Sequence, residues 1–233
     1  AFVTRYALKT VRRGGKPRVV YTAHGFHFYQ EGNRLRHPQY LLLERLVGHW
    51  LDYLVVINRE DEEAVRRYNI VPPECLVYMP GIGVDTQYYD PARINTAAVV
   101  ACRAELGLGP DDPLFLMVAE FNSGKRHRDL LRAFAGLDLP RAHLVLAGEG
   151  PLAGEMRQLA TTLGIMERVH FLGFRHDVPV LMRAASATVL PSEREGLPRC
   201  LLESLSLEVP VIGTRIRGVS DLLADGATGL LFD

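Results

Sequence analysis

Two carboxylates stand eight positions apart in Glu193-Arg-Glu-Gly-Leu-Pro-Arg-Cys-Leu-Leu-Glu-Ser204, with Gly196, Leu197 and Pro198 between Glu195 and the helical stretch that carries Glu203. Pro198 suits the first turn of a helix, and Gly196 lets a backbone approach a ligand closely. A helix start offers unpaired N–H groups and the positive end of the dipole, a setting that favours phosphate. Carboxylates accept hydrogen bonds from hydroxyls, which sugars present in pairs, and such charged bonds contribute ~1.5–3 kcal/mol each. A phosphorylated ligand laid across this helix start would have Glu195 at one end and Glu203 at the other. The same spacing also fits an acid complementing a helix N-terminus followed by a solvated face residue.

Other residues with chemical potential lie, like these, just after short apolar runs. Lys125 follows Leu114–Ala119 and precedes a helical pattern, where it could neutralise a diphosphate as a mobile point charge or simply be a surface lysine. His24 ends the β-rich run Val19-Val-Tyr-Thr-Ala23 beside Gly25. Gly148-Glu-Gly-Pro151 resembles half of a dinucleotide fingerprint, but Pro151 interrupts it and no third glycine follows, so a tight turn into a helix is the better reading. His24, His27 and His37 lack an accompanying carboxylate or cysteine at ligand spacing and make no metal set. Cys75, Cys102 and Cys200 are widely spaced packing residues, consistent with a reducing compartment.

The elements that must position these residues alternate. The spacing of Phe2, Val3, Tyr6, Ala7 and Val11 predicts a helix ended by Gly14-Gly15. Strands are expected at 19–23, 53–57, 76–79, 114–119, 144–147, 169–172, 187–190 and 209–213. Helices are expected at 38–50, 60–68, 96–106, 130–135, 152–163, 178–184 and 198–207. Short apolar strands separated by amphipathic helices argue for parallel sheets covered on both faces. The turn-rich interval Pro80–Pro91 reads as a linker between two α/β units, 1–90 and 91–233. Only two strands of the first unit are clear, too few for a covered sheet. With Ala1 in place of an initiator Met, the chain reads as a piece of something longer.

Composition narrows the function classes. Hydrophobic residues at 48% and charged residues at 23% describe a globular protein rather than a disordered one. Lys+Arg and Asp+Glu balance at 27 each, which does not indicate nucleic-acid binding. The balance is uneven along the chain: Arg5, Lys9, Arg12, Arg13, Lys16 and Arg18 open it with no acid among them. Together with the helix around Tyr40–Trp50, that segment is either a solvated face or a peripheral contact with anionic membrane.

Glu195-x7-Glu203 after a strand, Gly148-Glu-Gly-Pro151, Lys125, the Pro80-Gly-Ile-Gly-Val-Asp85 linker and the run Tyr21-Thr-Ala-His-Gly-Phe-His-Phe28 give the chain its resemblance, nearly end to end, to a family four glycosyltransferase of the GT-B fold. It is most similar to the branch that builds bacterial capsular and exopolysaccharide units. The resemblance implies two Rossmann-like parallel-sheet domains, the first incomplete at its N-terminus and the second lacking its last helix. It implies transfer of a sugar from a nucleotide sugar, UDP-linked, to a polysaccharide or lipid-linked acceptor with retention of configuration. It implies no requirement for a metal or other cofactor. By position, Glu195 would hold donor-sugar hydroxyls and Glu203 the ribose hydroxyls. Gly196, Leu197 and Pro198 would supply backbone groups near the sugar and diphosphate, and Lys125 would offset the diphosphate charge. His24 would contact the sugar from the first domain, and Arg175 would lie in the base-binding loop.

The chain departs from the family at Glu120, where many members carry Arg, so the diphosphate would depend more on Lys125, helped by Arg126. The expected location is cytoplasmic, peripheral on the inner face of the plasma membrane. A fragment of this extent is expected to bind donor and to turn over poorly or not at all. The competing readings are a noncatalytic nucleotide-sugar-binding or scaffold fragment and a glycogen-phosphorylase-like enzyme, for which no pyridoxal-phosphate lysine context is visible.

Overall fold

A computed structural model of the chain describes residues 2–11, 18–26 and 37–233. Gly14-Gly15, the cations Arg12, Arg13 and Lys16, and the residues His27 and Phe28 lie outside the described residues. The chain divides into two compact units, Ala1–Ile82 and Gly83–Asp233.

The first unit runs α1 (Phe2–Val11), β1 (Val20–Ala23), α2 (His37–Gly48), β2 (Tyr53–Val56), α3 (Arg59–Tyr68) and β3 (Leu76–Tyr78). Its three strands pair in parallel in the order β1-β2-β3, with Val20 opposite Tyr53 and Leu54 opposite Leu76. The third strand lies where the sequence placed one, at 76–79, although it is only three residues long, and its pairing with β2 brings the sheet to three strands. Ala23, Leu54, Val56, Val65 and Ile70 form the core. The Asn58 side chain caps α3 by accepting from Asp61 N at 2.8 Å, and α3 ends at Asn69 in the left-handed region (φ 48°).

The second unit runs α4 (Thr96–Glu105), β4 (Leu114–Val118), α5 (His127–Ala135), β5 (His143–Ala147), α6 (Ala153–Thr162), β6 (Val169–Gly173), α7 (Val178–Ala184), β7 (Ala187–Leu190), α8 (Arg199–Ser206), β8 (Val211–Thr214) and β9 (Gly229–Phe232). All six strands are parallel, in the order β6-β5-β4-β7-β8-β9. The strands are nearly continuous apolar runs because both faces are covered. Leu131 and Phe134 of α5 pack with Met156 and Ala160 of α6 in one core. Cys102 of α4 packs with Leu181 and Met182 of α7 in the other.

Two boundaries and one strand depart most from the sequence reading. Helix α5 starts at His127 rather than Leu130, because the polar run Arg126–Asp129 hides a buried first turn. Strand β8 is shifted to Val211–Thr214, since Pro210 has no N–H for the ladder. Strand β9 went unread; its Gly-Leu-Leu-Phe run is short and gains its identity only by pairing with β8. The second half of the Pro80–Pro91 interval belongs to the second unit: Tyr89 is buried in its core, and the Tyr89 carbonyl accepts from Ser206 Oγ at 2.8 Å.

Candidate active site

The chain lays down β4, β5 and β6 outward in one direction, then crosses back to place β7 on the other side of β4. The loops after β4 and β7 therefore leave the sheet in opposite senses, which opens a crevice at the carboxyl ends of the strands, where ligands bind in such sheets. Lys125 lies on the first of these loops and Glu195 on the second.

Asn122 shapes the β4 loop. Its side-chain carbonyl accepts from Lys125 N at 3.2 Å and closes the short turn Ser123–Lys125. Arg126 follows in the left-handed region (φ 54°) and pairs with Asp129 at 2.7 Å, so its charge is already partnered. The β7 loop is stitched to this one by Glu193 N donating to Gly124 O at 2.8 Å. Lys125 Nζ then meets Glu195 Oε1 at 2.5 Å, across 70 residues of sequence. The lysine side chain is 25% exposed and the glutamate 11%, so the pair is largely withdrawn from water.

Beyond Gly196 and Leu197, Pro198 stands just outside α8, its carbonyl accepting from Leu201 N at 3.2 Å. Pro198, at the N-cap of α8, makes no side-chain cap hydrogen bond. Glu203, one turn in, is buried at 8% exposure, which removes its reading as a solvated face residue. It accepts from Arg199 Nη2 at 3.3 Å. Burial first, and the Glu203 carboxylate second, raise the Tyr89 phenol above its ordinary range. Between the two acids sits Cys200. Its thiol is pushed up to about 12 by burial and then by Glu195, with Lys125 opposing and Glu203 adding to the rise.

The other expected residues lie at the ends of β6 and β1. Arg175, between β6 and α7, is held bidentately by Asp177, with Nε to Oδ1 at 2.7 Å and Nη2 to Oδ2 at 2.6 Å. Phe174 beside it is 64% exposed. His24 is exposed at the end of β1 in the first unit. The backbone two residues on is anchored by the buried Asp61, whose carboxylate accepts from Phe26 N at 3.3 Å.

Gly148 and Gly150 serve backbone packing. Gly148 N donates to Gly173 O at 2.7 Å and Phe121 N donates to Glu149 O at 2.9 Å. A Cβ on Gly150, whose φ is 153°, would stand 2.6 Å from both Phe121 N and Phe121 O. The turn leads into α6 as expected.

Sequence reasoning missed Tyr89, Asn122 and His127. His127 is buried and stacks on Phe121 with ring centroids 4.2 Å apart, and its Nδ1 has no hydrogen-bond partner among the described residues. Burial, helped by Lys125, lowers its pKa to about 4. The loop-at-strand-end rule stops two residues short of His127, and no local pattern marks it.

Comparisons with known proteins agree with this architecture. The crystal structure of Anabaena Alr3699/HepE in complex with UDP and glucose superposes with a TM-score of 0.81 at 22% identity, covering 98% of this chain and 60% of that one. The structure of WaaG, a glycosyltransferase involved in lipopolysaccharide biosynthesis, gives 0.76 at 24% identity, covering 98% and 66%. The fold is that of the GT-B class, with Rossmann-like parallel sheets. Residues 101–233 match the family described as Glycosyl transferases group 1, and the chain belongs to that family. EpsD of Bacillus subtilis (strain 168), which carries a glycosyltransferase name, is 34% identical over 232 residues, 98% of this chain and 60% of its own length. An Escherichia coli relative named UDP-Gal:alpha-D-GlcNAc-diphosphoundecaprenol alpha-1,3-galactosyltransferase is 29% identical over 227 residues, 95% of this chain and 58% of its own. The chain thus spans about 60% of the length of these curated relatives.

Proposed function

We propose that the full-length protein is a retaining glycosyltransferase that moves a sugar from a UDP-sugar to a polysaccharide or lipid-linked acceptor. The observation that carries this reading is the Lys125–Glu195 pair at the crossover of the sheet, beside the start of α8. When the glycosidic bond breaks, the departing nucleoside diphosphate gains negative charge and the sugar ring gains positive charge. Lys125 and the N–H groups of Gly196, Leu197 and α8 offset the first, and the Glu195 carboxylate stands where it can hold sugar hydroxyls close to the second. A preorganised donor of this kind contributes about 10²–10³ in rate. Charge neutralisation is thereby assigned to protein groups, without a bound metal. The UDP and glucose of the HepE complex and the UDP-Gal and lipid diphosphate in the E. coli relative's name support the substrate class.

Glu203 takes the ribose hydroxyls in this reading, and Arg175 lies by the base. Calorimetry with UDP tests it. Glu203→Ala is expected to weaken UDP binding about tenfold, the size of one charged hydrogen bond; unchanged affinity removes Glu203 from the nucleotide. Turnover of UDP-glucose, UDP-galactose and UDP-N-acetylglucosamine by the full-length protein separates an enzyme from a noncatalytic sugar-nucleotide-binding subunit.

Peripheral membrane contact on the cytoplasmic side belongs to the same proposal. Leu42 and Leu46, one turn apart on α2, are exposed with Leu43, and Val3 is exposed on α1. Arg5 does not contribute to a basic face: it is buried and ion-paired with Glu44 at 2.8 Å. Lys9, over the Trp50 ring, remains on that helix. No helix among the described residues is long and apolar enough to cross a membrane. Co-sedimentation with phosphatidylglycerol vesicles at low salt is expected to fall when Leu42 and Leu46 become Ser, and no binding by the parent protein refutes the contact.

A further inference from the structure

The connection that follows β8 presses on the turn carrying Glu195. Arg217 is buried at 9% exposure, and its Nε donates to the Glu195 carbonyl at 3.3 Å. The next residue, Gly218, has φ 75°, and a Cβ there would stand 2.1 Å from Gly196 O and 2.7 Å from Gly196 C. The two backbones therefore touch, and only glycine permits it. On its other side the same turn is held by Glu193 N on Gly124 O and by Lys125 on the Glu195 carboxylate. Loops from three neighbouring strands, β4, β7 and β8, thus converge on Glu195 and Gly196. Lys125 grips the side chain and Arg217 the main chain.

This double grip answers a physical need. Gly196 gives the backbone beside Glu195 wide conformational freedom, and a carboxylate on such a turn would have to be ordered by the ligand itself. Fixing the carbonyl from a buried guanidinium moves that ordering into folding, so the carboxylate is held before a ligand arrives. Arginine suits the task because its planar, always charged fork presents donors in a fixed geometry.

We propose that Arg217 is a positioning residue for donor-sugar recognition: through the Glu195 carbonyl, over the glycine seat at Gly218, it orients the Glu195 carboxylate toward the sugar ring of the nucleotide sugar. The inference rests on the assignment of Glu195 to the sugar given above. It separates the two ends of the ligand. Loss of Arg217 loosens the sugar end and leaves the nucleotide end, held at Glu203, as it was.

The test measures dissociation constants of the full-length protein, well below its melting temperature, for UDP and for UDP-glucose, UDP-galactose and UDP-N-acetylglucosamine. In Arg217→Met the best-bound of the three sugars is expected to lose about tenfold in affinity, while UDP changes by less than about twofold. Arg217→Lys keeps the charge without the Nε donor and is expected to behave like Arg217→Met. A purely structural role would lower the melting temperature and leave the ratio of UDP-sugar to UDP affinity untouched, which overturns the proposal. So does a wild-type ratio in Arg217→Lys, since charge alone would then suffice. Glu195→Gln is measured alongside. If it weakens the UDP-sugar and Arg217→Met does not, the positioning role alone fails. If neither does, or if UDP does not bind the parent protein, the reading of the site fails with it.

Discussion

Replacing Lys125 by Met keeps the aliphatic length of the side chain and removes the charge that lies 2.5 Å from Glu195 Oε1. Two consequences follow from the same geometry, and they can be told apart. The first concerns stability. Fully exposed ion pairs contribute about 0–1 kcal/mol, whereas stranding one partner of a buried pair costs about 3–5 kcal/mol. With the two side chains 25% and 11% exposed, this pair lies between those limits, and a loss of about 1–3 kcal/mol is expected. For a protein of this size that is roughly 2–12 °C in melting temperature. Adding Glu195→Gln removes the stranded charge, so the double variant should recover most of the loss. The second consequence concerns the reaction. A cation positioned for a leaving diphosphate is worth about 10²–10³ in turnover, and Glu195→Gln cannot restore it. The assay is therefore a double-mutant cycle on the full-length protein, read once by thermal melting and once by UDP-sugar turnover. The reasoning is refuted by wild-type turnover in Lys125→Met, or by a double variant that regains turnover along with stability.

Two further outcomes are expected. Gly150→Ala places a methyl 2.6 Å from the Phe121 backbone at φ 153°. It should cost at least about 1–3 kcal/mol in urea unfolding from backbone strain alone; an unchanged midpoint would mean that the loops after β4 and β5 part easily. His127 has a folded pKa of about 4 against an ordinary 6.5, so between those values the unfolded chain binds more protons. Its contribution to stability is complete above about pH 6.5 and is lost as the pH falls toward 4. His127→Phe, which keeps the ring stack on Phe121, should flatten the loss of urea stability between pH 7 and pH 5, and an identical slope would show that the imidazole is not held neutral by burial.

Much of the layout was legible in the chain because apolar run length and helical periodicity are local properties. The strand-end rule reached Lys125 and Glu195 since each sits just past an apolar run, and the Glu195-to-Glu203 spacing follows from the chain alone. Legibility failed where an element owes its identity to a neighbour. Strand β9 is four residues long and is defined by the strand it pairs with. His127 looked like part of a polar run, because only the arrival of the Phe121 ring makes it a buried residue. The pairing of Arg175 with Asp177, two residues away, is likewise set by the loop conformation after β6 and not by the sequence pattern.

The amino-acid sequence by itself determined that this is an α/β chain of parallel strands, and which loops carry its acids, its lysine and its backbone-approaching glycines. Strand order was decided only in three dimensions. A parallel crossover can bring the next strand to either side of the sheet, and β7 beside β4 rather than beyond β6 is what sets Lys125 against Glu195. Arg217, which holds the Glu195 carbonyl, comes from a segment 22 positions away in sequence, and Tyr89, whose phenol the Glu203 carboxylate helps to raise, from one 114 positions away. Contacts of that range depend on the whole sheet being assembled, and no local propensity encodes them.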